Sequence, residues 1–364
     1  MKKVFFTLCL LALALSCGKD TITINGSIAE GETYPENTLV YLMDGDAVLD
    51  SAEVTDGVFT LEAPANPERY YSICADPAHK SYSWSFGIIA EAGSFPVTLS
   101  SDNQNCTIEG SPINQQYTEY RQGIKDIVNE YRQKASALND DDEEAFEKLY
   151  EETLGNIKAL SLDAMEKNPH NYIALAALNN IIDDIDLDEL NGILAKCDPF
   201  ITEDEGVLRE IAIKEAEAAT SEGHPFLDFA GKTPDGQDVK LSDFVGKGRW
   251  VLADFWASWC GPCMGEVPNI KKTHETLSGD KFTVLGIAVW ERGGDNTASA
   301  KKMEEKGMTW PQIFVGSDKT PTDSYGIIGI PTMILFAPDG TIYKRGEGLR
   351  GAKMMETVRD IINQ

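Results

Sequence analysis

The chain has 364 residues, long enough for two or three domains. Its 42% hydrophobic content supplies ordinary globular cores, while 32 Lys+Arg against 59 Asp+Glu leave a net charge of −27. That excess argues against nucleic acid as a partner and against electrostatic adhesion to anionic lipid. The acidity sits in the first two thirds; from residue 221 onward the charges nearly balance, so the two parts read as separate modules.

Residues 1–17 read as an address. Lys2 and Lys3 give a positive start, and Val4 to Leu15 is an apolar run too short to span a bilayer as a stable helix. Ala14-Leu15-Ser16-Cys17 follows. This resembles a bacterial lipoprotein signal with its lipobox, although Ala14 stands where Leu is usual. The resemblance implies cleavage before Cys17, lipidation of Cys17, and an exported protein anchored in the cell envelope. An ordinary secretory signal, cut without lipidation, is the alternative. Cys9 leaves with the signal, so Cys74, Cys106, Cys197, Cys260 and Cys263 remain in a compartment where disulfides persist. Cys74 and Cys106 could bridge; the expectation is that they and Cys197 are small buried core residues.

Residues 18–110 read as β. Thr21–Gly26, Thr38–Met43 and Val58–Leu61 are short alternating runs broken by Asp44-Gly45, Asp56-Gly57 and prolines, which predicts a small antiparallel sandwich. The stretch "DSAEVTDGVFTLE" is similar to the uncharacterised β domain that precedes thioredoxin-like domains in many bacterial lipoproteins. Residues 111–220 read as helix: Tyr117, Tyr120, Ile124, Ile127, Val128 and Tyr131 recur at steps of three and four. Asn139 to Glu144 lacks the alternating acids and central Gly of a Ca²⁺ loop, so it reads as a solvated loop feeding acids to the next helix's N-terminus.

From residue 224 the pattern alternates. A hairpin (226–230 and 239–241) precedes a buried strand, Trp250–Trp256, and a helix opening at Cys260. A second strand, 282–289, leads to a helix over 297–307. A pair of strands, 332–336 and 341–343, and a terminal helix finish the chain. This order predicts a central mixed sheet with helices on both faces.

Cys260 and Cys263 in "ASWCGPCMGEVP" could be a metal half-site, a structural disulfide or a redox couple. Zinc needs a second ligand pair, and His79, His170, His224 and His274 are scattered, so no metal is expected. A dithiol between a strand and a helix explains more of its surroundings. The first thiol then meets unpaired backbone N–H groups and the positive helix end, both of which favour thiolate. Cys260 would attack and Cys263, one turn further in, would resolve the mixed disulfide.

"WCGPC" after "DFWAS" resembles the thioredoxin superfamily, and Cys263-Met264-Gly265-Glu266-Val267-Pro268 is similar to the CxxCxxExP continuation of its exported TlpA-like branch. The resemblance covers 224–364 and implies an α/β thioredoxin-like domain. It adds Gly329-Ile330-Pro331-Thr332, in which Pro331 would be cis and pack against the cysteines while the Ile330 backbone bonds an incoming peptide. It also implies that Asp254 is buried, with a raised pKa, and takes the proton of Cys263. The strand at 282–289 departs from thioredoxin in having no interior Lys to partner that Asp. Trp259, Gly261 and Pro262 would contact substrate, with Pro262 favouring a more reducing couple than His would.

The implied function is thiol–disulfide exchange, reducing disulfides of exported proteins, with re-reduction by a membrane thiol donor and no cofactor beyond the cysteine pair. Two alternatives stand beside it. A peroxiredoxin-like thiol peroxidase would want Pro where Ala253 lies, seven residues before Cys260. A binding lipoprotein would place its activity in residues 18–220 and leave the redox site secondary.

Overall fold

The computed structural model describes residues 20–364 except 33, 36, 76–84, 102–104, 140–141, 295 and 347. The signal and Cys17, and Asp140 and Asp141 of the acidic loop, lie outside the described residues. Two compact units emerge: residues up to Ile185 with Leu190–Asp204, and Asp186–Glu189 with Glu205–Gln364.

Among the described residues of the first unit, eight strands form two four-stranded sheets: β1 (Thr21–Ile28), β2 (Leu39–Asp44), β3 (Ala47–Glu53), β4 (Val58–Pro64), β5 (Asn66–Cys74), β6 (Ser85–Ala90), β7 (Gly93–Leu99) and β8 (Thr107–Ile108). The orders are β4-β1-β7-β8 and β3-β2-β5-β6. Alternation does the work: Phe59, Leu61 and Ala63 of β4 point inward while their neighbours face water. They share one core with Val40, Leu42, Ile73 and Ile88 of the other sheet. The sandwich is not wholly antiparallel. β1 and β7 pair in parallel, which their long separation in sequence permits because no tight turn joins them.

Helices α1 (Pro112–Ala135), α2 (Glu143–Lys167), α3 (Tyr172–Asn179), α4 (Leu187–Leu194), α5 (Pro199–Thr202) and α6 (Glu205–Ala219) follow. α1 starts with Ser111 as cap and Pro112 just inside, a pairing that satisfies one end N–H and wastes none. Its buried Asn114 donates to the Ile89 carbonyl (2.9 Å) and accepts from the Ile89 N–H (2.8 Å), tying α1 to β6. Asp142 caps α2 by accepting from the Ala145 N–H at 3.1 Å, so one acid of that loop serves a helix start. Cys74, Cys106 and Cys197 are half-buried rather than buried; Cys74 and Cys106 do not bridge, and Cys106 packs against the sandwich core.

In the second unit one seven-stranded sheet runs β10-β9-β13-β12-β11-β14-β15. Its strands are β9 (Ala230–Lys232), β10 (Asp238–Lys240), β11 (Trp250–Trp256), β12 (Phe282–Ala288), β13 (Gln312–Phe314), β14 (Thr332–Phe336) and β15 (Ile342–Arg345). β11, β12 and β13 are mutually parallel, β14 pairs antiparallel with β11, and β15 pairs antiparallel with β14. β12 is buried along its whole length, as a central parallel strand covered on both faces must be. Helices α7 (Gly261–Leu277), α8 (Thr297–Lys306) and α10 (Met354–Ile362) pack on one face. The other face is covered by α9 (Thr320–Ser324) with Tyr325 and Ile327, and α6 packs against α9. The fold is the mixed, doubly covered sheet expected. The strand β13 and helix α9 were not anticipated, and α6 belongs with the sheet rather than with the helices before it. Among the described residues no helix is long and apolar enough to cross a membrane.

Candidate active site

Leu252 and Trp256 of β11 face the cluster that holds Cys260, Cys263, Val267 and Ile270 of α7. Strand alternation therefore puts Asp254 on that same face, beneath the helix. After Trp256 the chain turns through Ala257, Ser258 and Trp259, and Cys260 caps α7. Its Sγ accepts from the Cys263 N–H at 3.1 Å, the contact that would favour a thiolate at this position. The two cysteines are joined as a disulfide. Both are nearly covered, Cys260 at 4% exposure and Cys263 at 1%, so an attacking partner reaches the first sulfur before the second. Gly261 and Pro262 are exposed above them. Helix α7 continues past Pro268, held by Val267 and Ile270 in the core.

The Ile330–Pro331 peptide is cis. The Ile330 carbonyl lies 3.7 Å from the Cys260 Sγ, so this loop forms the opposite wall of the site. Asp254 is 2% exposed and its Oδ1 has no hydrogen-bond partner. Burial, with Glu266 adding repulsion and Arg350 opposing it, pushes its carboxyl up to about 7. That places a group able to take or give a proton near neutral pH beneath the cysteines. Where a Lys might stand, Gly286 of β12 lies in register with Asp254. A Cβ on Gly286 would come within 2.0 Å of the Gln312 Oε1. That side chain fills the space, with its Oε1 accepting from the Trp256 Nε1–H at 3.0 Å.

Glu291 and Arg292 carry no signal in the linear pattern, while Trp259 and Glu266 stand in the quoted motif. Glu291, 4% exposed, accepts from the Ser258 N–H (2.6 Å) and Ser258 hydroxyl (2.7 Å), bracing the turn before Cys260. Trp259, 43% exposed, donates through Nε1 to the Trp290 carbonyl (2.9 Å) and carries the Arg292 guanidinium 4.8 Å above its ring. Glu266, quoted in the motif without a role, accepts from the Gly351 N–H at 3.0 Å and from Asn269 at 3.1 Å. Among the described residues no His, Cys, Asp and Glu group is arranged to hold a metal ion.

The sequence matches known families in two places. Residues 223–345 match the AhpC/TSA family, and residues 22–117 match a domain of unknown function, DUF4369. The thiol–disulfide oxidoreductase ResA of Bacillus subtilis is 26% identical over 151 residues, covering 42% of this chain and 81% of the relative. The thioredoxin-like protein YneN of the same organism is 29% identical over 153 residues, covering 40% and 82%. Among solved structures, the thioredoxin domain of a thiol–disulfide oxidoreductase from Bacteroides vulgatus is 32% identical. It covers 39% of this chain and 99% of that one, with a TM-score of 0.36. Residues 223–345 are thus an AhpC/TSA thioredoxin-like domain homologous to ResA-type thiol–disulfide oxidoreductases, and a DUF4369 domain precedes it.

Proposed function

We propose that this thioredoxin-fold thiol–disulfide oxidoreductase works as a reductant of protein disulfides in the cell envelope, anchored there through a lipidated Cys17. The carrying observation is the disulfide-bonded pair at the head of α7, with the Ile330 carbonyl 3.7 Å from one sulfur and Asp254 buried beneath. In the reduced enzyme the Cys260 thiolate attacks one substrate sulfur, forming a mixed disulfide and releasing the other sulfur as thiolate. Cys263 gives its proton to Asp254, and its thiolate attacks the Cys260 Sγ. The second substrate sulfur leaves and is protonated, and the two electrons have passed from the pair to the substrate. Cys260–Cys263 is then a disulfide again and needs a dithiol donor to reset it, for which a membrane thiol protein is the natural class. The pair itself carries the electrons, so no bound cofactor is required. Trp259, Gly261, Pro262 and the Ile330 backbone form the surface on which substrate rests, and Pro331 shapes it.

Reduction of insulin by the full chain with dithiothreitol tests the assignment. The parent turns insulin over, and Cys260→Ser falls to the uncatalysed rate; equal turnover by the two would sink the reading. Palmitate labelling of the expressed chain, lost in Cys17→Ala, tests the anchor separately.

A further inference from the structure

A groove of about 780 Å³ opens beside Trp259, bounded by α6, α9 and the loop after β12. That is room for several side chains. Its apolar surface includes Trp259, Ile213 and Ile328, the last 72% exposed although large and hydrophobic. Contiguous exposed apolar surface of this kind marks a place where something docks. The charges around it run against the trend of the chain. Arg209 of α6, Arg292 above Trp259 and Lys319 at the start of α9 line it. Two carboxylates also line it: Glu291, whose oxygens are both taken by Ser258, and Asp323. Among the described residues that line it, three cations thus face one solvent-facing acid in a protein of net charge −27. The groove starts at the residue before Cys260, and its outer wall comes from α6, upstream of the residues the family match covers.

We propose that this groove docks an extended segment of the substrate protein, one that flanks the disulfide under attack and carries an apolar side chain among acidic ones. The proposal rests on the redox reading above and names the substrate class of that same site. With the disulfide at Cys260, the flanking residues lie over Trp259; their apolar side chains meet Ile328 and Ile213, and their carboxylates meet Arg292, Lys319 and Arg209. Charges at such a rim act chiefly on encounter and choice of partner and weaken with salt.

The test uses the reduced full chain and three probes. Two are synthetic peptides with the same disulfide loop, one flanked by Glu-Leu-Asp and one by Lys-Leu-Lys; the third is hydroxyethyl disulfide. The acidic peptide is expected to be reduced with a kcat/KM roughly tenfold above the basic one at low salt, the gap closing at about 0.5 M salt. Arg209→Glu with Lys319→Glu is expected to invert the preference, and Arg209→Gln with Lys319→Gln to bring the two peptides close to parity. Equal rates for the two peptides with the parent, or a ratio unmoved by charge reversal, overturn the docking proposal while hydroxyethyl disulfide is still reduced. Failure to reduce any of the three overturns the redox reading, and the docking proposal with it.

Discussion

Glu291 and Ser258 stand 33 residues apart in sequence, yet the buried carboxylate holds both the backbone N–H and the hydroxyl of Ser258, at 2.6 and 2.7 Å. The turn that delivers Cys260 to its helix is therefore fixed from a neighbouring loop. Glu291→Ala leaves two donors without their acceptor in a partly buried site, at a cost of about 1–3 kcal/mol. The expected result is a lower unfolding midpoint together with a reduced disulfide-reduction rate. Glu291→Gln, which keeps one acceptor oxygen, should recover most of the stability. Denaturant melts and insulin turnover on the two variants check it.

The raised carboxyl of Asp254 makes stability depend on pH in the direction opposite to a salt-bridged acid. Its folded value, about 7, lies above its unfolded value, so the neutral form is favoured by folding. That contribution is complete below about pH 4 and is lost as pH rises towards 7. Asp254→Asn abolishes this dependence. The variant should gain on the parent progressively from about pH 4 to 7, by up to ~4 kcal/mol, and then run level. Its mixed-disulfide resolution should meanwhile slow. Chemical unfolding across that pH range and single-turnover kinetics measure both.

The two cysteines should fail differently. Cys260→Ser removes the attacking sulfur and forms no adduct. Cys263→Ser leaves attack intact but removes resolution, so substrates accumulate as mixed disulfides with Cys260. Non-reducing gels and mass spectrometry of the trapped species read this out. Adducts on Cys260→Ser would reverse the assignment of roles.

Gly326 has φ +58°, and a Cβ there would lie 2.7 Å from the Ile213 carbonyl and 2.5 Å from the Glu217 Cγ. Gly326→Ala should cost at least about 1 kcal/mol from the backbone alone and more from the displaced helix. Limited proteolysis should then cut near α6 sooner than in the parent. Unchanged protection would contradict the packing.

Much of the second unit was legible because its signals are local. A seven-residue apolar strand, a cysteine pair opening a helix and an Ile-Pro before another strand are each written in consecutive residues. β13 was missed because three residues cannot display a period, and its strand character comes from pairing with β12. Glu291 was missed because a buried glutamate and a solvated one look alike in a sequence; only the fold brings Ser258 to it. The sandwich was readable from alternation, but the parallel pairing of β1 with β7 is a matter of topology that alternation does not encode. The half-buried state of Cys74, Cys106 and Cys197 is likewise set by their neighbours.

Arg345 of β15 donates from Nη1 to the Thr220 hydroxyl at 2.8 Å and from Nη2 to the Tyr325 carbonyl. The end of α6 is thereby stitched into the sheet unit, as Gly326 stitches its middle. The compact unit that holds the cysteines thus takes in α6 from Glu205 onward, some way ahead of the family match at 223. A recombination breakpoint between the two would transplant the cysteines while leaving behind the helix on which their neighbourhood leans.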